Sequence, residues 1–129
     1  MPLKLSLKPG ETFVVNGAVL RNGERRGVLL LENHARVLRE KDIMQPEEAD
    51  TPARRAYFAV MQMYLTGETE GPAYDRAALA LAALIKSSRD RDLRASALKI
   101  SGDISSGALY RALTGCRKLI AAPREMADA

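Results

Sequence analysis

The fold class predicted from this 129-residue sequence is α+β: an antiparallel β meander or small barrel of about five strands, then a bundle of about four helices. Three observations predict it. Through residue 43 the apolar residues alternate with polar ones or come in short runs, the habit of strands. From residue 51 onward they recur at helical spacing. Between the two regions, Gln45-Pro46-Glu47-Glu48-Ala49-Asp50 interrupts both patterns and carries three acids and no base. The chain therefore divides into a basic β part (1–44), an acidic linker (45–50), a helical part (51–122) and a tail (123–129).

Leu3-Lys4-Leu5-Ser6-Leu7-Lys8 alternates, which predicts a half-buried strand with Leu3, Leu5 and Leu7 inward. Lys4, Ser6 and Lys8 then share the outer face. Pro9-Gly10 is a turn. Thr12-Phe13-Val14-Val15, Ala18-Val19-Leu20, Gly27-Val28-Leu29-Leu30-Leu31 and Ala35-Arg36-Val37-Leu38 are β-branched or aliphatic and too short for helices. Asn16-Gly17 and Asn22-Gly23 are hairpin signals, since both residue types tolerate positive φ. Residues 38–43 close the meander, with Leu38 and Ile43 facing inward at the two ends.

Thr51-Pro52 is a helix start, threonine as N-cap and proline at the first helical position. That helix runs to Thr66 and stops at Gly67. Ala56, Tyr57, Val60, Met61 and Tyr64 form one apolar stripe; Phe58, Met63 and Leu65 make a second side. Arg54 and Arg55 in its first turn oppose the helix dipole. A second helix spans 73–88, with Ala77, Ala78, Leu81, Leu84 and Ile85 on one face. Asp90 caps a third that carries Leu93, Ala97 and Ile100, and Ser101-Gly102 breaks it. Asp103 caps the last, whose stripe is Leu109, Leu113, Cys116 and Ile120 and which ends before Pro123.

At this length the chain is one domain, or two small lobes sharing a core. Met1-Pro2-Leu3-Lys4 leads into alternation rather than an apolar signal segment, and the longest apolar run, residues 77–85, is too short to cross a bilayer. The lone Cys116 fits a reducing compartment, so the expected location is the cytoplasm, with no membrane partner. Chemistry is sparse. His34 is the only histidine and has no Cys cluster beside it, which argues against a zinc site. Cys116 falls on an apolar stripe, as a small hydrophobe does. There is no glycine-rich phosphate loop and no paired carboxylate, so neither an enzyme nor a cofactor is expected.

Binding is what remains. The net charge is +4, and Lys8, Arg21, Arg25, Arg26, Arg36 and Arg39 recur at the turns and polar sides of the strands, with Lys4 on the outer face of the first. Such a surface suits a phosphate backbone. For any one of these residues the plainer reading is a solvated polar face. Aromatic residues that could stack on bases are nearly missing from the strands, Phe13 excepted.

Several blocks in order resemble the FlbT family of flagellin regulators: Met1-Pro2-Leu3-Lys4-Leu5-Ser6-Leu7-Lys8-Pro9-Gly10-Glu11, Asn16-Gly17, Leu31-Glu32-Asn33, residues 37–44, Thr51-Pro52-Ala53-Arg54-Arg55, Tyr57-Phe58 with Met61, Tyr110-Arg111-Ala112-Leu113 and Cys116-Arg117-Lys118-Leu119-Ile120. The resemblance spans essentially the whole chain. It implies a cytoplasmic post-transcriptional regulator, mostly a repressor, that binds the 5′ untranslated leader of flagellin mRNA, promotes its degradation and works with a partner regulator, FlaF. A ribonuclease of the cell would do the cutting. Gly10-Glu11-Thr12 and residues 38–43 also resemble blocks of the CsrA family, dimeric β proteins that grip mRNA leaders; by position Lys8 and Arg39 match its RNA contacts, while Leu7 stands where that family has arginine. A homodimer is thereby left open. The alternative is a protein-binding adaptor, whose helical part would hold flagellin or FlaF in a groove at Met61 and Met63, rimmed by Arg54 and Arg55. Filling of the core is the plainer role for those methionines.

Overall fold

The computed structural model describes residues 3–121, so the expected tail at 123–129 lies outside the described residues. Five strands precede four helices. The chain forms two compact units, one holding the strands through Ile43 together with Leu65–Gly67, the other holding Met44–Tyr64 and the chain from Glu68 onward.

In the strand unit, β1 (Leu3–Leu7), β2 (Thr12–Val15), β3 (Ala18–Arg21), β4 (Gly27–Leu31) and β5 (Val37–Arg39) fall where the apolar runs place them. Asn16-Gly17 turns β2 into β3 with φ of +49° and +84°, and Val15 pairs with Ala18 across it. Both central residues of that two-residue turn need positive φ to match the strand twist. Asn22-Gly23 behaves differently. Asn22 keeps a negative φ and no hairpin forms; β4 instead runs antiparallel to β1, Leu5 opposite Leu29. The strands are therefore not a simple meander but two small sheets, β1-β4 and β3-β2-β5. Leu5, Leu7, Phe13, Val14 and Leu38 are buried, whereas Leu3 is exposed, contrary to its place in the alternation. It pairs with Leu31 at the end of the ribbon. After β5 the chain tightens into a 3-10 turn at Glu40–Asp42, and Ile43 is half-buried.

The helices α1 (Pro52–Thr66), α2 (Pro72–Ser87), α3 (Arg91–Ser105) and α4 (Leu109–Ala121) follow a 3-10 turn at Pro46–Glu48, and all but the last two residues of α1 belong to the helical unit. The Thr51 hydroxyl accepts the Arg54 N–H at 3.1 Å, as an N-cap does. Arg54 is held by Asp50 at 2.9 Å, which offsets its unfavourable place in the first turn. Asp90 caps α3 by accepting the Leu93 N–H at 2.9 Å. Asp90→Ala is expected to lower stability by about 1 kcal/mol, readable as a shift in urea midpoint with unchanged slope.

The break between α3 and α4 lies later than Ser101-Gly102. The third helix runs through that pair to Ser105, because glycine inside a helix costs only about 1 kcal/mol and Leu93, Ala97, Ile100 and Ile104 continue one buried stripe. The turn comes at Gly107, φ +80°. Asp103 accordingly caps nothing: it sits in α3, 7% exposed, and binds Arg111 of α4 at 3.0 Å. In α4 the inward positions are Leu109, Ala112, Leu113, Cys116 and Leu119, with Ile120 half-buried beside them. Tyr64 and Tyr110 meet with ring centroids 5.8 Å apart. No helix of the described residues is long and apolar enough to cross a membrane.

Candidate nucleic-acid interface

Two turns at one end of the strand unit are sewn together by backbone and amide hydrogen bonds. The Gly10 N–H donates to the Gly23 carbonyl at 2.9 Å, and the Asn22 N–H to the Glu11 carbonyl at 2.8 Å. The Asn22 side-chain amide then donates to the carbonyls of Lys8 (2.8 Å) and Arg25 (2.9 Å). Asn22 thus works as a crosspiece between the Pro9-Gly10 turn and the β3–β4 connection. Lys8, Arg21, Arg25 and Arg26 all spring from this fastened backbone, and all four are exposed. Glu24 is the one exposed acid within the same loop. Four basic side chains thus leave a backbone joined by four hydrogen bonds.

Arg39 stands in a different situation. Its Nε donates to Glu11 Oε2 at 3.0 Å, and its Nη2 reaches both Glu11 oxygens at 2.9 Å and the Ser6 carbonyl at 2.6 Å. Glu11 is 8% exposed and also accepts the Lys8 N–H at 2.9 Å. That backbone bond first, and the Arg39 guanidinium second, hold the Glu11 carboxyl below its ordinary value of 4.5, with desolvation opposing them. The side chain of Arg39 retains 30% exposure, but its donor edge is spent on Glu11 and Ser6. It ties β5 to the chain around β1 and β2.

Arg36 lies at the opposite end of the three-stranded sheet. Its N–H and carbonyl bond Asn16, both at 2.8 Å. Its guanidinium lies against Gly67, the φ +73° residue after α1; a β-carbon there would come within 2.7 Å of Arg36 Cζ. Lys4 is exposed on the face of the ribbon that also carries Val28 and Leu30.

The structure therefore gathers Lys8, Arg21, Arg25 and Arg26, leaves Lys4 apart on β1, and gives Arg36 and Arg39 internal contacts. The tie between Glu11 and Arg39 spans 28 residues, and no local pattern announces it; the one sequence signal was the isolated acid directly after Pro9-Gly10. Phe13 is 4% exposed and offers no face for stacking. On the helical unit Arg55 is exposed, Arg54 is paired with Asp50, and Met61 and Met63 are 4% and 0% exposed. Those two methionines fill the core and line no open groove; the Met61 sulfur accepts the Met44 N–H at 3.3 Å. Cys116 is fully buried, and burial pushes its thiol up to about 12. No group of three or more His, Cys, Asp or Glu able to hold a metal ion occurs among the described residues.

Comparison with known proteins adds the family context. The family model described as "Flagellar protein FlbT" matches residues 3–126. A protein of Caulobacter sp. (strain K31), named "Probable flagellum biosynthesis repressor protein FlbT", is 53% identical over 120 residues, covering 93% of this chain and 92% of that relative. The "Flagellum biosynthesis repressor protein FlbT" of Caulobacter vibrioides (strain ATCC 19089 / CIP 103742 / CB 15) is 51% identical over 93% of this chain and 85% of its own. A relative in Rhodopseudomonas palustris (strain TIE-1), again named a probable flagellum biosynthesis repressor, is 38% identical over 98% of both chains. No solved structure matches.

Proposed function

This chain belongs to the FlbT family of flagellar proteins, and from that premise we propose that it represses flagellum biogenesis after transcription, by binding the 5′ untranslated leader of flagellin mRNA and promoting its degradation. The single observation that carries the RNA contact is the fastened cluster of Lys8, Arg21, Arg25 and Arg26. Four cations rooted in one hydrogen-bonded loop pair suit the phosphates of a folded leader, because their backbone anchors are held together before the RNA arrives. With Phe13 buried, stacking contributes nothing from the strands, so selectivity comes from the shape of the leader and from arginine donors reaching unpaired bases. The message is destroyed by a ribonuclease of the cell once the leader is held or remodelled. FlaF and flagellin act on this complex as modulators.

The test is a salt titration of binding between the purified chain and a flagellin leader, with a scrambled RNA of equal length alongside. Leader-selective binding whose log affinity falls with log salt at a slope of about −2 to −3, as for three or four phosphates on a single strand, is the expected result. Equal binding of both RNAs, or retardation of the leader only when flagellin or FlaF is added, would instead make the chain a protein-binding adaptor.

A further inference from the structure

β4 presents an anomaly. All five of its residues, Gly27-Val28-Leu29-Leu30-Leu31, are apolar, yet none is buried; Val28, Leu29 and Leu30 are 55%, 36% and 58% exposed. A strand apolar on both faces belongs inside a sheet. This one pairs with β1 along one edge only, in a two-stranded ribbon, a unit that is marginal by itself. Its other edge is open. Exposed edges in soluble proteins are guarded by charge or proline. The other edge strands are charged or short: β1 carries Lys4, β3 carries Arg21, and β5 is only three residues long. β4 carries no guard at all.

We propose that the open edge of β4 is a homodimer interface, pairing antiparallel with β4 of a second copy about a two-fold axis at Leu29. The occupant is argued from charge as well as apolarity. In that register Leu29 faces Leu29, Val28 faces Leu30 and Gly27 faces Leu31. One step further out, Arg26 faces Glu32 of the second copy, at both ends of the pair. Arg26 and Glu32 are exposed, and neither side chain has an ion pair or hydrogen bond among the described residues. Shifting the register by one residue sets Arg26 against Leu31 or Asn33 and loses both ion pairs. An isologous closure of this kind needs no other element than the strand itself. It converts two marginal ribbons into one four-stranded sheet, ordered β1-β4-β4-β1, and merges the face bearing Leu3, Leu5, Leu29 and Leu31 with its copy.

The experiment is mass measurement by light scattering on the full chain at micromolar concentration, with cross-linking of Leu29→Cys under mild oxidation. The expected mass is twice the 14.1 kDa of one chain, and Leu29→Cys gives a reducible covalent dimer, while Val28→Cys, which faces Leu30 rather than itself, gives little. Arg26→Glu weakens the dimer at least tenfold, and adding Glu32→Arg restores it; both positions are exposed, so neither variant endangers the monomer fold. A single-chain mass overturns the proposal. So does a dimer in which Leu29→Cys fails to cross-link and Arg26→Glu has no effect, because the copies then meet on another face or hold another protein's place.

Discussion

Replacing Lys8, Arg21 and Arg25 together with alanine is expected to weaken leader binding on the order of a hundredfold near 0.1 M salt, and to flatten the salt slope by about 2. The arithmetic is additive: three charge-assisted phosphate contacts at roughly 1 kcal/mol each, and about 0.7 counterion released per contact on a single strand. All three side chains are exposed and none belongs to an ion pair among the described residues, so the melting temperature should stay put. Arg26 is deliberately retained, since it borders the β4 edge. The contrast that matters is with Lys4→Ala, on the ribbon and away from the loop pair, which should move affinity far less. Equal losses from both variants would show that the chain binds RNA as a diffuse cation, without an organised site. Fluorescence anisotropy of a labelled leader at several salt concentrations reads both quantities.

Arg39→Ala should do something different: it should lower the melting temperature more than the substitution of any loop cation. Glu11 would keep the Lys8 amide but lose the guanidinium that contacts both its oxygens while it is shielded from water. Loss of RNA binding by this variant would then be a consequence of a loosened β5, and the Glu11→Gln, Arg39→Ala pair should recover part of the loss by removing the stranded charge. The pH dependence has a definite sign. Because the folded Glu11 carboxyl lies below 4.5, its contribution to stability is complete above that value and disappears as the pH falls through the lower, folded one. Thermal melts through the acid range should show this loss in the parent and a smaller one in Glu11→Gln. A parent and Glu11→Gln that respond identically to acid would mean the pair contributes nothing.

Most of the element boundaries were legible because they rest on short-range chemistry. Asn16-Gly17, Thr51-Pro52 and Asp90 each act within four residues of themselves, and all three do what their types dictate. Two features misled for the same reason. Asn22-Gly23 has the composition of a hairpin turn, but the amide of Asn22 found carbonyl partners at Lys8 and Arg25, and β4 found β1. Ser101-Gly102 has the composition of a break, but a buried stripe carried the helix through it. In each case tertiary partners outweighed a local preference of about 1 kcal/mol. The candidate site divides along the same line. That cations crowd the turns could be read directly; which of them are spoken for could not, since Glu11 meets Arg39 and Gly67 meets Arg36 only after folding.

The crosspiece has a consequence for how the protein ages. Asparagine followed by glycine is the pair most prone to lose its side-chain ammonia, since the next backbone nitrogen can reach the amide carbon without hindrance, and asparagine is among the thermolabile residues for that reason. At Asn16 the product would put a new charge in the β2–β3 turn, beside the Arg36 N–H that the asparagine oxygen now accepts. At Asn22 it would put a carboxylate where an amide now donates to two carbonyl oxygens, so that two attractions become two repulsions in the middle of the basic loops. A stored preparation would therefore lose its cation cluster from within, without any arginine or lysine having changed.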